Sequence, residues 1–202
     1  MGVHCYRGSD EGQSGSAEPT PAIFASVAQR TERAASTRKV GGLNPPGGAT
    51  YNGMRSQLKS YSCGAAALVN AGRALGKKFS EGKVRKLAGT TEDGTDEVGL
   101  IAAARGLGLS ATPNWTSDRN AAWSFVRANV LDGRPCLVCI DNWGHWATVI
   151  GIVGDRVLLM DPSNSKRNMD ELGVHSMSRT ELLKRWKHRT QEEPFYAIAV
   201  GK

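Results

Sequence analysis

The chain has 202 residues, is 40% hydrophobic and 22% charged, and carries a formal net charge of +7. That length suits one domain with a sizeable core, and the composition reads as globular, not as an unfolded polyelectrolyte. No apolar run approaches the roughly 18 residues of a membrane span, no apolar signal segment opens the chain, and no Walker-type glycine loop occurs. Four cysteines, Cys5, Cys63, Cys136 and Cys139, are too few and too scattered for a disulfide scaffold, so a reducing, cytoplasmic location is the simplest reading. The basic residues are dispersed, Lys77 to Lys86 in one region and Lys184 to Arg189 in another. No aromatics interleave with them for base stacking, so no nucleic-acid partner is expected.

Residues 1–53 differ from the rest. They are rich in Gly, Ser, Pro, Thr and Ala, and this composition predicts disorder. Val27–Thr50, VAQRTERAASTRKVGGLNPPGGAT, resembles the conceptual translation of a transfer-RNA gene. On that reading Met54 is a candidate start, and residues 54–202 are the domain. Gly41-Gly42 and Gly47-Gly48 also fall in this stretch, where chance glycines are the plain explanation.

The next stretch, Gln57–Leu68, reads QLKSYSCGAAAL: a glutamine, a cysteine six positions on, then a small-residue helical run predicted to reach about Leu75, with Gly76 as its stop. A thiol attacks only as thiolate, and a helix N-terminus favours that form. Gly64 leaves room for a substrate against the backbone. The Cys63 N–H and the Gln57 amide are two candidate donors for an oxyanion. Ser80 caps a short helix through Leu87, and Thr95 caps another over Asp96–Arg105, with Val98, Ile101 and Ala102 on one face. Leu107–Pro113 reads as extended. Ser117 opens a helix to about Leu131, with Trp123, Val126 and Val130 inward.

Pro135–Ile140 reads as a buried strand beside a hairpin, NWGHWATVIGIVGDRVLLMDPSN, that has His145 at one end and Asp161 at the other. A strict two-residue turn at Gly154-Asp155 would pair Thr148 with Asp161. His145 would then lie three positions away, roughly 10 Å along the strand. A His145–Asp161 hydrogen bond therefore calls for a bulge or looser loop around Gly151 to Asp155 that brings them opposite, and Gly151 is a natural bulge residue. Ser178 with Glu181 forms a capping box for a helix to about His188, and Phe195–Val200 closes the chain as a strand. Helices followed by an antiparallel sheet argue for an α+β fold.

Other groups read as structural. Cys136 and Cys139 would point to opposite faces of a strand and have no second pair for zinc. Trp143 and Trp146 read as core residues that could also wall a cleft. His4, His175 and His188 read as surface histidines.

Gln57, Cys63-Gly64, His145 and Asp161-Pro162, in this order and at these intervals, resemble the papain-like cysteine peptidases that remove double-glycine leaders from bacteriocin precursors, over roughly Arg55 to Val200. The resemblance implies a papain-like α+β fold with Cys63 as nucleophile, His145 as base, Asp161 as the histidine's partner and Gln57 as an oxyanion donor. It implies a peptide or protein substrate, cleavage after a Gly-Gly type site, and no cofactor. Two alternatives stay open: a thiol acyltransferase of the same fold, and a non-catalytic peptide-binding module.

Overall fold

The computed structural model describes residues 55–163 and 174–202. The expectations for residues 1–53 lie outside them. The described elements run α1 (Cys63–Ala74), α2 (Glu81–Leu87), α3 (Glu97–Gly106), β1 (Ser110–Thr116), α4 (Arg119–Leu131), β2 (Cys136–Ile140), β3 (His145–Val153), β4 (Arg156–Met160), β5 (His175–Ser178), α5 (Arg179–Trp186) and β6 (Phe195–Gly201).

All strands belong to one antiparallel sheet in the order β1-β6-β2-β3-β4-β5. The final strand therefore inserts between β1 and β2, which the chain order did not suggest. The sheet separates two cores by simple alternation. Leu137, Cys139, Trp146, Tyr196 and Ile198 face α1, α2 and α3. Cys136, Val138, Ala147, Val149 and Ala197 face α4 and α5. The expected order of helices first and sheet second thus holds for α1–α3, while α4 and α5 interrupt the strands to cover the other face. Cys136 and Cys139 do go to opposite faces.

Apart from Arg73, every residue of α1 is buried. A helix enclosed on all sides needs small side chains, and Gly64, Ala65, Ala66, Ala67 and Ala71 supply them. Thr148 Oγ1 of β3 donates a 2.8 Å hydrogen bond to the Ala67 carbonyl, fastening the helix to the sheet. Gly64 faces inward, where an added Cβ would lie 3.0 Å from Thr95 Cβ and 3.1 Å from Trp146 Cδ1. Its missing side chain serves packing, in place of the substrate clearance anticipated.

Capping mostly follows the sequence. Ser80 accepts from the Lys83 N–H, and Ser178 and Glu181 form a complete capping box. The cap of α3 is Asp96, which accepts from the Gly99 N–H, and not Thr95. Thr95 is buried instead, and its carbonyl accepts the Trp146 indole N–H at 3.0 Å. The buried face of α3 is Leu100, Ala103 and Ala104, while Val98 stays exposed. Asp118 likewise replaces Ser117 at the start of α4.

The hairpin is irregular, as the register argument expects, although its turn is tight. Val153 pairs with Arg156, so the turn at Gly154-Asp155 is a tight two-residue turn. The irregularity lies earlier, between Val149 and Gly151, and shifts the pairing by one residue so that Thr148 faces Met160. Continuing that register aligns Asp161 with Ala147, two residues from His145 and on the same face of the sheet. Without the bulge Asp161 would align with Thr148 and point to the other face.

Gly64→Ala should lower stability by about 1–3 kcal/mol, the usual cost of overpacking, and slow Cys63 labelling because the start of α1 must move off Trp146. Urea unfolding together with thiol-labelling kinetics checks this; wild-type values in both would show that the contact relaxes freely.

Candidate active site

Cys63 is the first residue of α1, so its N–H is among the first-turn amides that lack an intrahelical acceptor. The preceding loop is tied down at several points. Arg55 exchanges two hydrogen bonds with the buried Asn70 side chain, at 2.9 and 3.1 Å. The Leu58 N–H donates to Glu81 Oε2, and the Gln57 N–H donates to the Pro162 carbonyl at 2.9 Å. That last bond joins the loop before Cys63 to the residue after Asp161.

His145 opens β3, opposite Ile140. Its Nε2 donates to Asp161 Oδ1 at 2.7 Å, and the Ser163 N–H donates to the same oxygen at 2.9 Å. Cys63 lies close enough to the ring to contribute to its electrostatics. Cys63, His145 and Asp161 are thus brought together. Gln57 is adjacent in the chain, but its side chain turns onto its own loop: Nε2 donates to the Lys59 and Ser60 carbonyls, each at 2.9 Å, and Oε1 is buried without a hydrogen-bond partner.

The electrostatics follow from these contacts. Burial pushes the His145 pKa down, but the hydrogen bonds and negative charge of Asp161 and Cys63 outweigh it and raise the value to about 9. Burial pushes Asp161 up, yet bonding to His145 and Ser163 holds it well below the usual carboxylate range. The Cys136 thiol is pushed up to about 12 by burial. The protonated form of His145 therefore stabilises the fold fully below its ordinary value of 6.5, and that contribution disappears as pH rises through about 9. The Asp161 carboxylate contributes above its ordinary 3.8, and that contribution disappears as pH falls below it.

Sequence reasoning missed the turn that presents His145. Asp141, Asn142 and Trp143 have φ of 54°, 60° and 61°, a left-handed turn without glycine. Asp and Asn tolerate this region, whereas for a bulky residue such as Trp it is an outlier that the surroundings must impose. The segment from α5 to β6 supplies the constraints. Arg185 bonds Asp141 through both carboxylate oxygens, the Arg189 N–H donates to Asn142 Oδ1 at 3.1 Å, and Trp143 Nε1 donates to the Pro194 carbonyl at 3.3 Å. Trp143 also packs edge-on against Trp115 and tilted against His188. Arg185 lies 3.8 Å from Asp161 Oδ2 as well, linking the turn to the carboxylate that holds His145. The Asp-Asn pair is a legible turn signal; nothing in the sequence marks Arg185.

His145 and Asp161 line a cleft of about 890 Å³ that extends beside α5. His175 also lines it and is buried, not at the surface as anticipated. Among the described residues no group of three or more His, Cys, Asp or Glu side chains is arranged to hold a metal ion. Among them, too, no helix is long and apolar enough to cross a membrane.

The sequence profile of the peptidase C39 family matches residues 52–189, more than half of the chain. The chain belongs to the peptidase C39 family. An uncharacterized protein of Methanothermobacter thermautotrophicus is 51% identical over 110 residues, covering 53% of this chain and 69% of that protein. The mesentericin-Y105 transport/processing ATP-binding protein MesD of Leuconostoc mesenteroides is 25% identical over 136 residues; the match covers 65% of this chain but 17% of that much longer protein. Among solved structures, the peptidase domain of Streptococcus ComA, a bifunctional ABC transporter of a quorum-sensing pathway, has a TM-score of 0.57 at 20% identity, covering 74% of this chain and 97% of that one. A double-glycine-motif protease from an AMS/PCAT transporter, solved in complex with the leader peptide, has a TM-score of 0.55 at 19% identity, covering 72% and 88%. The C39 chain thus has the papain-like α+β fold of these peptidase domains.

Asp161→Asn should lower the His145 pKa, moving the loss of its stabilising proton from about pH 9 toward neutrality. Urea unfolding from about pH 5 to about pH 10 reads this directly, and an unmoved profile would show that Asp161 does not set the imidazole charge. Arg185→Met should slow Cys63 labelling by roughly tenfold, with Arg185→Lys intermediate. Its melting temperature should fall by only about 2–4 °C, because the Asp141 pair is half-exposed. A fall in melting temperature with unchanged labelling would restrict Arg185 to stability.

Proposed function

We propose that this C39 chain is a cysteine peptidase that cleaves a peptide bond through Cys63, His145 and Asp161, at a double-glycine type site in its substrate. The single observation that carries the reading is the His145 ring, bonded at 2.7 Å to Asp161 and coupled electrostatically to Cys63 at the start of a buried helix. Such a ring is held in one tautomer and orientation, as a general base requires. The double-glycine specificity draws support from the relative solved with its leader peptide.

In this mechanism the Cys63 proton passes to His145, giving a thiolate and imidazolium pair. The raised His145 pKa favours this pair at neutral pH. Cys63 Sγ attacks the scissile carbonyl carbon, and the carbonyl electrons move onto oxygen. The Cys63 N–H, at the positive end of α1, is the first donor to that oxyanion. Gln57 is the second, once one of its bonds to Lys59 or Ser60 is exchanged for the oxyanion. Collapse breaks the C–N bond while His145 delivers its proton to the leaving amine. Water, deprotonated by His145, then cleaves the thioester and restores the thiol. Replacing that water by an amine would turn the same intermediate to acyl transfer.

The test is mass spectrometry of a peptide library before and after incubation with the full chain, with Cys63→Ala as control. Cys63-dependent products ending in Gly-Gly are expected, together with iodoacetamide labelling of Cys63 well ahead of Cys136 near pH 6. Products lengthened by an amine would favour the acyltransferase. Absent turnover with all cysteines labelling equally would leave a peptide-binding module.

A further inference from the structure

Among the described residues, the cleft beside α5 holds acidic groups that are committed and donors that are not. Asp141 is bound by Arg185, Asp161 by His145 and the Ser163 N–H, and Glu181 by Ser178 in the capping box. The Arg185 guanidinium is taken up by Asp141 and lies beside Asp161. The cationic groups left lining the cleft are Lys184, Lys187 and Arg189. Lys184 lies in the last turn of α5 and Lys187 is the residue that ends it. His175 adds a second kind of evidence. It is 8% exposed, lines the same cleft from β5, and its buried Nε2 has no hydrogen-bond partner among the described residues. A buried imidazole nitrogen without a partner costs free energy unless a ligand or water completes it.

We infer that this cleft is a subsite for an acidic side chain of the peptide substrate, with Lys184, Lys187 and Arg189 supplying the charge and His175 a buried hydrogen-bonding nitrogen. The inference rests on the peptidase reading for the substrate's being a peptide; the binding itself needs no turnover. Because His145 and Asp161 line the same cleft, a peptide carboxylate seated there is held on the α5 side of the reacting groups. The basic balance of the chain adds a long-range field that attracts such a substrate, and salt would screen it. What separates a subsite from that general field is dependence on these particular residues.

The experiment measures fluorescence anisotropy of two capped peptides labelled with a net-neutral dye and carrying an internal Gly-Gly. They are identical except that the four glutamates of one are glutamines in the other. The protein is the full chain with Cys63→Ala, so neither peptide is consumed. The glutamate peptide should bind about tenfold more tightly at roughly 0.15 M salt, in line with a few exposed charge pairs acting together. Lys184→Gln with Lys187→Gln should abolish that preference. Lys77→Gln with Lys78→Gln, exposed and away from the cleft, removes the same charge and should preserve it. His175→Gln should weaken the glutamate peptide alone; were it to unfold, the lysine pair still decides. Equal binding of the two peptides, no measurable binding of either, or equal loss in both lysine pairs would overturn the subsite. A retained preference with no Cys63-dependent cleavage by the unsubstituted chain would instead leave the subsite standing and remove the peptidase reading.

Discussion

A one-residue slip in strand pairing is the constraint on which the site depends. Side chains alternate across a sheet, so any odd shift moves a residue from one face to the other. The turn at Gly154-Asp155 alone would set Asp161 against Thr148, whose side chain is committed to the Ala67 carbonyl of α1. The bulge between Val149 and Gly151 hands that position to Met160 and moves Asp161 to the face of His145. The bulged Ile150 is not wasted, since it packs with Ala74 and Met160 under the far end of α1. Packing there and alignment at the site are two results of the same irregularity.

The second requirement is that α1 lie close enough to the sheet for Cys63 to meet His145. Small residues along the helix permit the approach, and the bonds to Thr148 and around Thr95 and Trp146 hold it. Trp146 is fully buried, next to His145 in sequence and against Gly64 in space. Burying an indole of roughly 200 Å² gives on the order of 5 kcal/mol before entropy is counted. That gain anchors β3 and the start of α1 to one another. A rigid frame under Cys63 and His145 keeps the two side chains in reach of one another without further ordering.

Among the described residues, left-handed backbone outside glycine concentrates at the connection that leads into His145. Three successive left-handed residues cost free energy in isolation, and contacts from Arg185, Arg189 and Pro194 offset it. The same arginine reaches toward Asp161, so the orientation of the imidazole and the charge of its partner share a support. His145 and the Ser163 N–H keep that carboxylate ionised, while Arg185 lies 3.8 Å from its other oxygen. The connection and the carboxylate are thereby coupled through a helix that contributes none of the reacting groups.

The amino-acid sequence by itself determined the elements, because each is specified by neighbours a few residues away: the small-residue run after Cys63, the Ser178–Glu181 box, the apolar runs around Gly154-Asp155. It also marked Cys63, His145 and Asp161, since thiol, imidazole and carboxylate at helix and strand ends are local chemical signals. The tertiary structure decided the rest. The insertion of β6 between β1 and β2, and the seating of α4 and α5 on the second face, rest on contacts between distant segments. The inward face of Gly64 and the burial of Thr95 follow from Trp146, which is distant from both in sequence and adjacent only in space. The location of the bulge was ambiguous because Val149–Gly151 and Gly151–Asp155 both satisfy local rules, and only the packing of Ile150 and Thr148 against α1 distinguishes them. Arg185 was invisible because a helical arginine looks solvated until the fold supplies two carboxylates on the far side of the chain.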